Sequence, residues 1–598
     1  MKLKGPLLLT FLCTIAMLHF NACRNKTKVK IQGNEREIDE ESLKSCVQNY
    51  LNTLAKDSSY KHYYDTLMAH YQNRGFAPIW LEIYKDENSL KPLYNLLDSA
   101  LYEGLRPEHY HKNSIQSLIK KISSNNNDSI HQFLALFDVY VSDALLSLWH
   151  DKVLGRTNPK QVLGSKYTLP YPCHPDFNLM KVLDPEKGIS TLLNYHSSHK
   201  DYWNLKKLLA IEYRKTKGSE TIIDTIGIRK IKPGDTTNIA PLVVRRLVEL
   251  GIAPDSLLNE TTTIYSKKIA KYIIKIQEQA NLTNDGIIGK TTLKVLNTSS
   301  NDKINEIRAN LERIRWFATE PTKPYVMVNL PEFMLYTVYN DSVKSMIVCI
   351  GKGKERHYDL KSKKYLETKK YLDKPQNNET PQVYSNIDYV VLNPTWTVPA
   401  SIVGREMFSR IVANPGYLIR NGYQVLMKGN VVDPYSIDWK KYSPGNIPYT
   451  IRQNAGDDNS LGKIKFTFKN PFDVYLHDTP LKSKFKLSNR AVSHGCVRVS
   501  SPIDLTGFVL QQNTKTTYDD VRIKMGLAPL DTAKARKWRE DTTSYKKVVK
   551  GTYPIKLENK MTVFFDYKTI VFDEFGNPRF VFDVYDKNRL IVEAMDKF

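Results

Sequence analysis

The sequence predicts a multidomain α+β chain with a helical first half, a small three-helix module in the middle and a β-rich C-terminal half. Three observations predict it. From about Glu37 to Pro241 apolar residues recur every three or four positions, as in SLKSCVQNYLNTLAK, PLYNLLDSALYEGL and FLALFDVYVSDALLSLWHDKVLG, which is the period of an amphipathic helix. From near Pro324 the texture changes to short runs such as YVMVNLPEFMLYTVYND and SMIVCIG, which read as strands around turns. The length of 598 residues, with 41% apolar and 11% aromatic content, is enough for several separate cores.

At the N-terminus Lys2 and Lys4 precede an apolar run from Pro6 to Phe20. A membrane span needs about 20 apolar residues and this run is shorter, so residues 1–22 are expected to be a signal peptide. Ala22-Cys23 resembles a bacterial lipoprotein cleavage site, although Phe20 and Asn21 replace the usual aliphatic and small residues. Cys23 is therefore the expected lipidation site and membrane anchor, with ordinary cleavage near Ala22 as the alternative, and residues 23–36 are expected to be a linker.

The charge of +24, from 87 Lys and Arg against 63 Asp and Glu, is spread along the chain, and no nucleic-acid motif accompanies it. It reads as a solvated surface, and nucleic acid is not an expected partner. Cys46, Cys173, Cys349 and Cys496 follow Cys23 with no CxxC spacing, so neither a zinc site, a redox pair nor any cofactor is expected. Cys349, in the strand-like run SMIVCI, reads as core.

Taken in order, residues 37–238 form an expected helical domain. Gly104 and Pro107 close one of its helices, and Phe76, Trp80 and Trp149 read as core. Residues 239–300 hold PLVVRRLVELG, YSKKIAKYIIKIQEQANL and a turn at Asp285-Gly286 before a third helix. A linking helix occupies 301–323 and a β domain 324–530. Within the β domain, the lysine-rich piece 352–378 has few apolar anchors and is expected to be an exposed loop insertion. The irregular stretch at about 403–447 interrupts the strands where a mobile lid would be expected. The tail, 531–598, reads as further strands, TVFFDYKTIVFDEFGNPRFVFDVYD with a turn at Gly576, packing on the β domain.

The chemistry concentrates between Phe472 and Ser500, FDVYLHDTP followed by LKSKFKLSNRAVSHGCVRVS. Cys496 stands beside Gly495 among polar side chains, and His477 ends an alternating run before Thr479-Pro480, where a side chain meets an open strand end. A thiol reacts as its thiolate and gains from a neighbouring imidazole and from positive charge; His477, His494 and Arg498 can supply both. The plainer reading is a small buried cysteine near two satisfied histidines.

Six ordered motifs carry a resemblance over most of the chain: Asn310-Leu311-Glu312-Arg313 with Arg315-Trp316; Val328-Asn329 with Pro331, Phe333 and Leu335; Asn393-Pro394 with Trp396, Val398-Pro399 and Ser401-Ile402; Asn459 with Leu461 to Phe466; Tyr475 to Pro480; and Ser493 to Val499. They resemble the large multidomain L,D-transpeptidases of the bacterial envelope, YcbB-like with a YkuD-type catalytic domain. Ile276-Gln277 with Asp285 to Leu293 resembles a three-helix peptidoglycan-binding domain. Ala455 departs from the family's pattern, which has proline there.

The resemblance implies a β-sandwich-like catalytic domain with Cys496 as nucleophile, His477 as general base and the Asp478 backbone carbonyl orienting the imidazole. It also implies an oxyanion hole from backbone amides around His494, Gly495 and Cys496. Ser493, Trp396 and Arg498 are expected at the substrate, Arg498 being equally suited to holding its loop. The implied reaction joins peptidoglycan stem peptides by 3→3 crosslinks in the cell envelope, without a cofactor. An L,D-carboxypeptidase and a non-catalytic wall-binding scaffold remain the alternatives. Glycan and cell-wall synthases are further expected partners, the latter through the helical domain.

Overall fold

The computed structural model describes residues 26–31, 33–54, 64–124, 129–170, 178–215, 220–224, 230–259, 263–280, 282–317, 321–540 and 548–597. The expected signal peptide and Cys23 lie outside the described residues. The chain is α+β, helical in its first half and β-rich in its second.

The helical part is built around the helix Ile130–Val153, which is apolar on every side and buried along most of its length, as a central core helix must be. It is long and apolar enough to cross a membrane, yet 72% of its most apolar stretch is buried inside the protein. Helices Glu40–Leu54 and Lys112–Ser124 pack on it. The expected linker 23–36 is instead partly structured: β1 (Lys26–Ile31) and β2 (Asn34–Asp39) form an antiparallel hairpin. Ile31 and Ile38 anchor that hairpin in the helical core, which a run this short and this charged does not advertise.

Helices Ala240–Glu249, Lys267–Gln279 and Lys290–Leu296 enclose a separate core that includes Val243, Leu247, Ile273 and Leu293. Gln277 ties down the turn between the last two helices, accepting from Gly286 N–H at 2.9 Å and donating to the Ile287 carbonyl at 2.9 Å. The linking helix Ser300–Trp316 starts with a reciprocal capping box between Ser299 and Asp302. It is buried without interruption from Ile307 to Trp316, because the helical part packs on one side of it and the β domain on the other.

In the β domain β3 (Tyr325–Asn329), β4 (Met334–Tyr339), β5 (Ser342–Gly351) and β6 (Tyr384–Leu392) come first. An inserted set follows, β7 (Trp396–Thr397), β8 (Tyr423–Met427), β9 (Asn430–Val432) and β10 (Thr450–Gln453), and then β11 (Ile464–Phe468), β12 (Leu476–His477), β13 (Ala491–Ser493), β14 (Val497–Val499) and β15 (Tyr553–Asp566). Eight strands join in the order β5-β14-β12-β11-β6-β15-β3-β4, and β4 pairs back onto β5. The sheet is therefore barrel-like where a β-sandwich was expected. Closure follows from β5 bonding β4 along its first half and β14 beyond it, and it leaves few free edges. β13 adds in parallel at the end of β5.

Three expectations change here. β15 lies between β6 and β3, so the tail 531–598 is not an extension packed on a finished domain but supplies a middle strand. Its last helix, Lys587–Met595, packs on the linking helix. The stretch 403–447 belongs to a compact inserted subdomain whose sheet runs β7-β10-β8-β9 and whose core includes Val398, Met407, Ile411, Val425, Trp439 and Ile451. The piece 352–378 is not a plain loop: it contains the helix Tyr358–Thr368 and lays Tyr371 against the subdomain, where a Cβ on Gly445 would meet the Tyr371 ring at 2.8 Å. Arg405 stacks on that ring at 5.2 Å and donates to the Tyr371 carbonyl at 3.2 Å.

Glu103 is the charged centre of the junction between the helical part and the linking helix. It is 2% exposed and accepts from the Tyr202 hydroxyl at 2.8 Å and from Lys206 at 2.7 Å, with Lys152 at 3.5 Å and Arg315 at 3.6 Å. Burial pushes its carboxyl up, but Lys152, Lys206 and Arg315 together outweigh burial and hold it at about 2. The stabilisation is present above the ordinary glutamate value of about 4.3 and is lost as pH falls toward the folded value. Glu103→Gln leaves buried cations without their counter-charge and is expected to cost about 3–5 kcal/mol, measured as a fall in denaturation midpoint at pH 7 that shrinks on acidification to about pH 3.

Candidate active site

The barrel's interior is filled by alternate residues. Ile464 and Phe466 of β11, Leu476 of β12, Val497 and Val499 of β14, and Val348 and Ile350 of β5 all belong to its core. Since side chains alternate across a strand, the residues between them face outward. Register then lines those residues up: Lys465 pairs with His477, His477 with Arg498, and Arg498 with Cys349. Tyr475 and Cys496 lie on the same outer face, each two residues before a member of this row. The apolar filling of the barrel thus places a thiol, an imidazole and two cations on one surface.

His477 is buried, and its Nδ1–H donates to the Asp478 carbonyl at 2.5 Å. That bond fixes the tautomer and leaves Nε2 as the nitrogen with a lone pair. The Asp478 carboxylate is engaged elsewhere, accepting from Lys463 N–H at 2.9 Å and pairing with Lys482. Its approach requires a glycine opposite: a Cβ on Gly462, at φ +60°, would stand 2.4 Å from Asp478 Oδ2. Burial, reinforced by the neighbouring Arg498 charge, pushes the His477 imidazole down to about 3, so it is neutral across the physiological range.

Cys496 is half-buried between β13 and β14. Gly495 before it takes φ +130°, a conformation open to glycine. The loop is bound to itself and to its neighbours. Gly495 N–H donates to Ser493 Oγ at 3.1 Å, Ser493 Oγ donates to the Cys496 carbonyl at 2.6 Å, and Thr380 Oγ1 donates to the Gly495 carbonyl at 2.7 Å. Burial raises the Cys496 thiol above its ordinary value, against the pull of the Tyr475 amide and hydroxyl and of Lys465 and Arg498.

The other expected site residues are placed as follows. Ser493 is buried, and its hydroxyl is engaged inside the loop. The Gly495 amide is taken by Ser493, which removes it from the expected oxyanion donors in this conformation. His494 is exposed and its Nε2 meets Glu406 Oε1 of the inserted subdomain at 2.6 Å, linking that subdomain to the loop that carries Cys496. Trp396 stands at the start of that subdomain, half-buried in β7, and is one of the groups that act on the Tyr475 phenol. Arg498 is half-buried, with its Nε enclosed and without a hydrogen-bond partner.

Tyr475 is the residue sequence reasoning passed over. Its ring meets His477 edge-on at 5.6 Å, and Lys465 Nζ sits 3.8 Å from its centroid, while the Cys496 Sγ–H points to the Asp473 carbonyl at 3.9 Å. Burial first, then the Cys496 charge, raises its phenol, which keeps the hydroxyl a donor. The period of two from His477 along VYLH was the signal that could have found it.

Residues 323–523 match the YkuD family model, described as the L,D-transpeptidase catalytic domain. Residues 65–209 match a model described as a Scaffold domain. The chain carries an L,D-transpeptidase catalytic domain. A Haemophilus influenzae protein named "Putative L,D-transpeptidase" is 39% identical over 137 residues, 23% of this chain and 28% of that relative's length. The row from Lys465 to Cys349, with Cys496, lies wholly inside the L,D-transpeptidase match, whereas strand β15, which the barrel needs, lies beyond it.

The electrostatics of the L,D-transpeptidase domain give a direct test. With a raised thiol and a neutral imidazole, alkylation of Cys496 by iodoacetamide should climb with pH above about 8.5, where an unperturbed thiol ionises. Arg498→Gln removes a charge that favours the thiolate and should move the curve further upward. Peptide mass spectrometry separates Cys496 from the other cysteines of the chain; a rate plateau at neutral pH would reveal a preformed thiolate–imidazolium pair and contradict this account.

Proposed function

We propose that the protein is a peptidoglycan L,D-transpeptidase that forms 3→3 crosslinks between stem peptides through a thioester on Cys496. The observation that carries this reading is the outer face that Cys496, two residues before Arg498, shares with a neutral His477, which pairs with Arg498 and whose Nδ1 is committed to the Asp478 carbonyl. In the first half, Sγ attacks the carbonyl of the third residue of a donor stem while its proton passes to His477 Nε2. The bond to the terminal D-alanine breaks, and the departing amine takes that proton. In the second half the side-chain amine of an acceptor stem gives a proton to Nε2 and attacks the thioester, and the thiolate leaves as a thiol. A base whose resting form is neutral suits both halves.

The Tyr475 hydroxyl and the free backbone amides of the nucleophile loop are the donors placed to meet the oxyanion. The inserted subdomain, held over the loop by Glu406 and His494, would limit water and favour the amine acceptor. The three-helix module supports a wall substrate, because its Thr283 hydroxyl lies 3.0 Å from Ser488 in the loop that leads into β13. This reading places the protein in the cell envelope, with the helical part as the surface for cell-wall synthases.

Purified protein incubated with disaccharide-tetrapeptide should yield a 3→3 dimer and free D-alanine by mass spectrometry. Cys496→Ala should abolish the dimer, and His477→Gln should lower its rate by at least about 100-fold. Tripeptide monomer alone would replace the transferase with a carboxypeptidase, and no product together with no carbapenem adduct on Cys496 would leave a non-catalytic scaffold.

A further inference from the structure

Lys465 belongs to the outer-face row, yet the proton transfers from thiol to imidazole to amine make no use of it. It stands across from His477 in the register of β11 and β12, and its side chain runs back along β12 to lie on the Tyr475 ring, with Nζ 3.8 Å from the centroid. Tyr475 in turn is level with Cys496, because Val497 N–H donates to the Tyr475 carbonyl at 3.1 Å and carries the β12–β14 pairing one step past Leu476. Across the neighbouring strands β11, β12 and β14 the order is therefore cation, aromatic ring, thiol.

The ammonium is not spent on the protein. Other lysines drawn into the fold give theirs to carbonyls: Lys166 donates to those of Asn377 and Glu379 at 3.0 and 2.9 Å, and Lys152 to that of Leu192 at 2.7 Å. Lys465 is half-buried, and among the described residues it makes no hydrogen bond or ion pair. A structural lysine would be expected to find such partners. A ring face holds a cation without a fixed donor–acceptor bond, which leaves its charge free to act on a neighbour.

That neighbour is the reacting thiol. Lys465 and Cys496 act on each other: the lysine charge favours the thiolate, and a charge on the sulfur favours the ammonium against burial. The other charged or titratable groups around the sulfur are Tyr475 and His477 on β12, Arg498 on its own strand, His494 in its own loop and Asp473. His494 is engaged with Glu406, and Asp473 acts on Lys465 from beyond ion-pair distance. Lys465 also disfavours imidazolium at His477, so a proton taken by Nε2 is more readily given up to a departing amine.

We propose that Lys465, stored on the Tyr475 ring, is a positioning residue for acyl transfer whose fixed positive charge steadies the negative charge as it moves from Cys496 Sγ to the attacked carbonyl oxygen. The proposal rests on the transpeptidase reading above and adds a cation to the nucleophile and base. Electrostatic support of this kind acts where charge develops and needs no contact with the resting substrate.

The test uses Lys465→Met, which keeps an apolar chain against the ring and removes the charge, beside Lys465→Arg, which keeps the charge. With disaccharide-tetrapeptide, Lys465→Met should lower kcat for dimer formation by about tenfold or more with KM near wild type, the scale of one charge in a partly buried site. Its iodoacetamide labelling curve for Cys496 should move to higher pH, while Lys465→Arg recovers most of both and the thermal midpoint stays near wild type. Wild-type kcat and an unmoved labelling curve in Lys465→Met overturn the proposal. A rise in KM alone makes Lys465 a substrate contact, and equal losses in both variants with a lowered thermal midpoint make it structural; either result overturns it too. If wild type forms neither dimer nor thioester, the functional reading fails, while the labelling curves of wild type and Lys465→Met still report whether Lys465 acts on the thiol.

Discussion

The closed sheet governs everything that happens at the site. Once β4 and β14 both bond to β5, the barrel interior is sealed and packed with Val, Ile, Leu and Phe, and no charge can be placed there without a large desolvation cost. Polar chemistry is forced to the outer face, where strand register sets it in rows with a spacing of about 4.8 Å. Lys465, His477, Arg498 and Cys349 are such a row. The same constraint explains why the Asp478 carboxylate plays no part in orienting the imidazole. Its residue follows His477 by one, so its side chain turns to the backbone of Gly462 and Lys463, and only its carbonyl reaches the ring.

Covering the outer face changes its acid–base character. His477 is buried beneath its surroundings and beside a guanidinium, and both effects disfavour imidazolium. Cys496 loses solvent too, and the nearby cations do not fully compensate. The resting site is therefore a thiol and a neutral imidazole, with charge appearing only when a carbonyl is present to accept electrons. A thiol in this state is also less open to oxidation than a thiolate, since the thiolate is the oxidisable form.

Distant parts of the chain converge to hold this geometry. Thr380, just after the 352–378 piece, bonds both Gly351 N–H and the Gly495 carbonyl, so one hydroxyl links β5 to the loop that carries Cys496. Tyr371 of the same piece steadies the inserted subdomain, whose Glu406 reaches His494. At the far side, Asp596 near the C-terminus pairs with Arg308 of the linking helix and Arg106 of the helical part. The helical part and barrel are thus joined through ion pairs that span most of the sequence.

Much of this was legible in one dimension. The 3.6-residue period marked the helical half, the shift to short alternating runs marked the β domain, and Cys496, His477 and Trp396 stood out because a glycine, a strand-end turn and an NPxWxVP run surround them. These are local signals, and local periodicity is what a sequence by itself determines. Only the tertiary structure decided that the sheet closes, that β15 enters between β6 and β3, and that 396–453 is a folded subdomain with its own core. Strand order depends on pairings between residues hundreds of positions apart. The tertiary structure also brought Tyr475 to the thiol, spent Ser493 and the Gly495 amide inside their own loop, and laid Lys465 on the Tyr475 ring. Those outcomes rest on register and hydrogen-bond competition, which exist only once the strands have met.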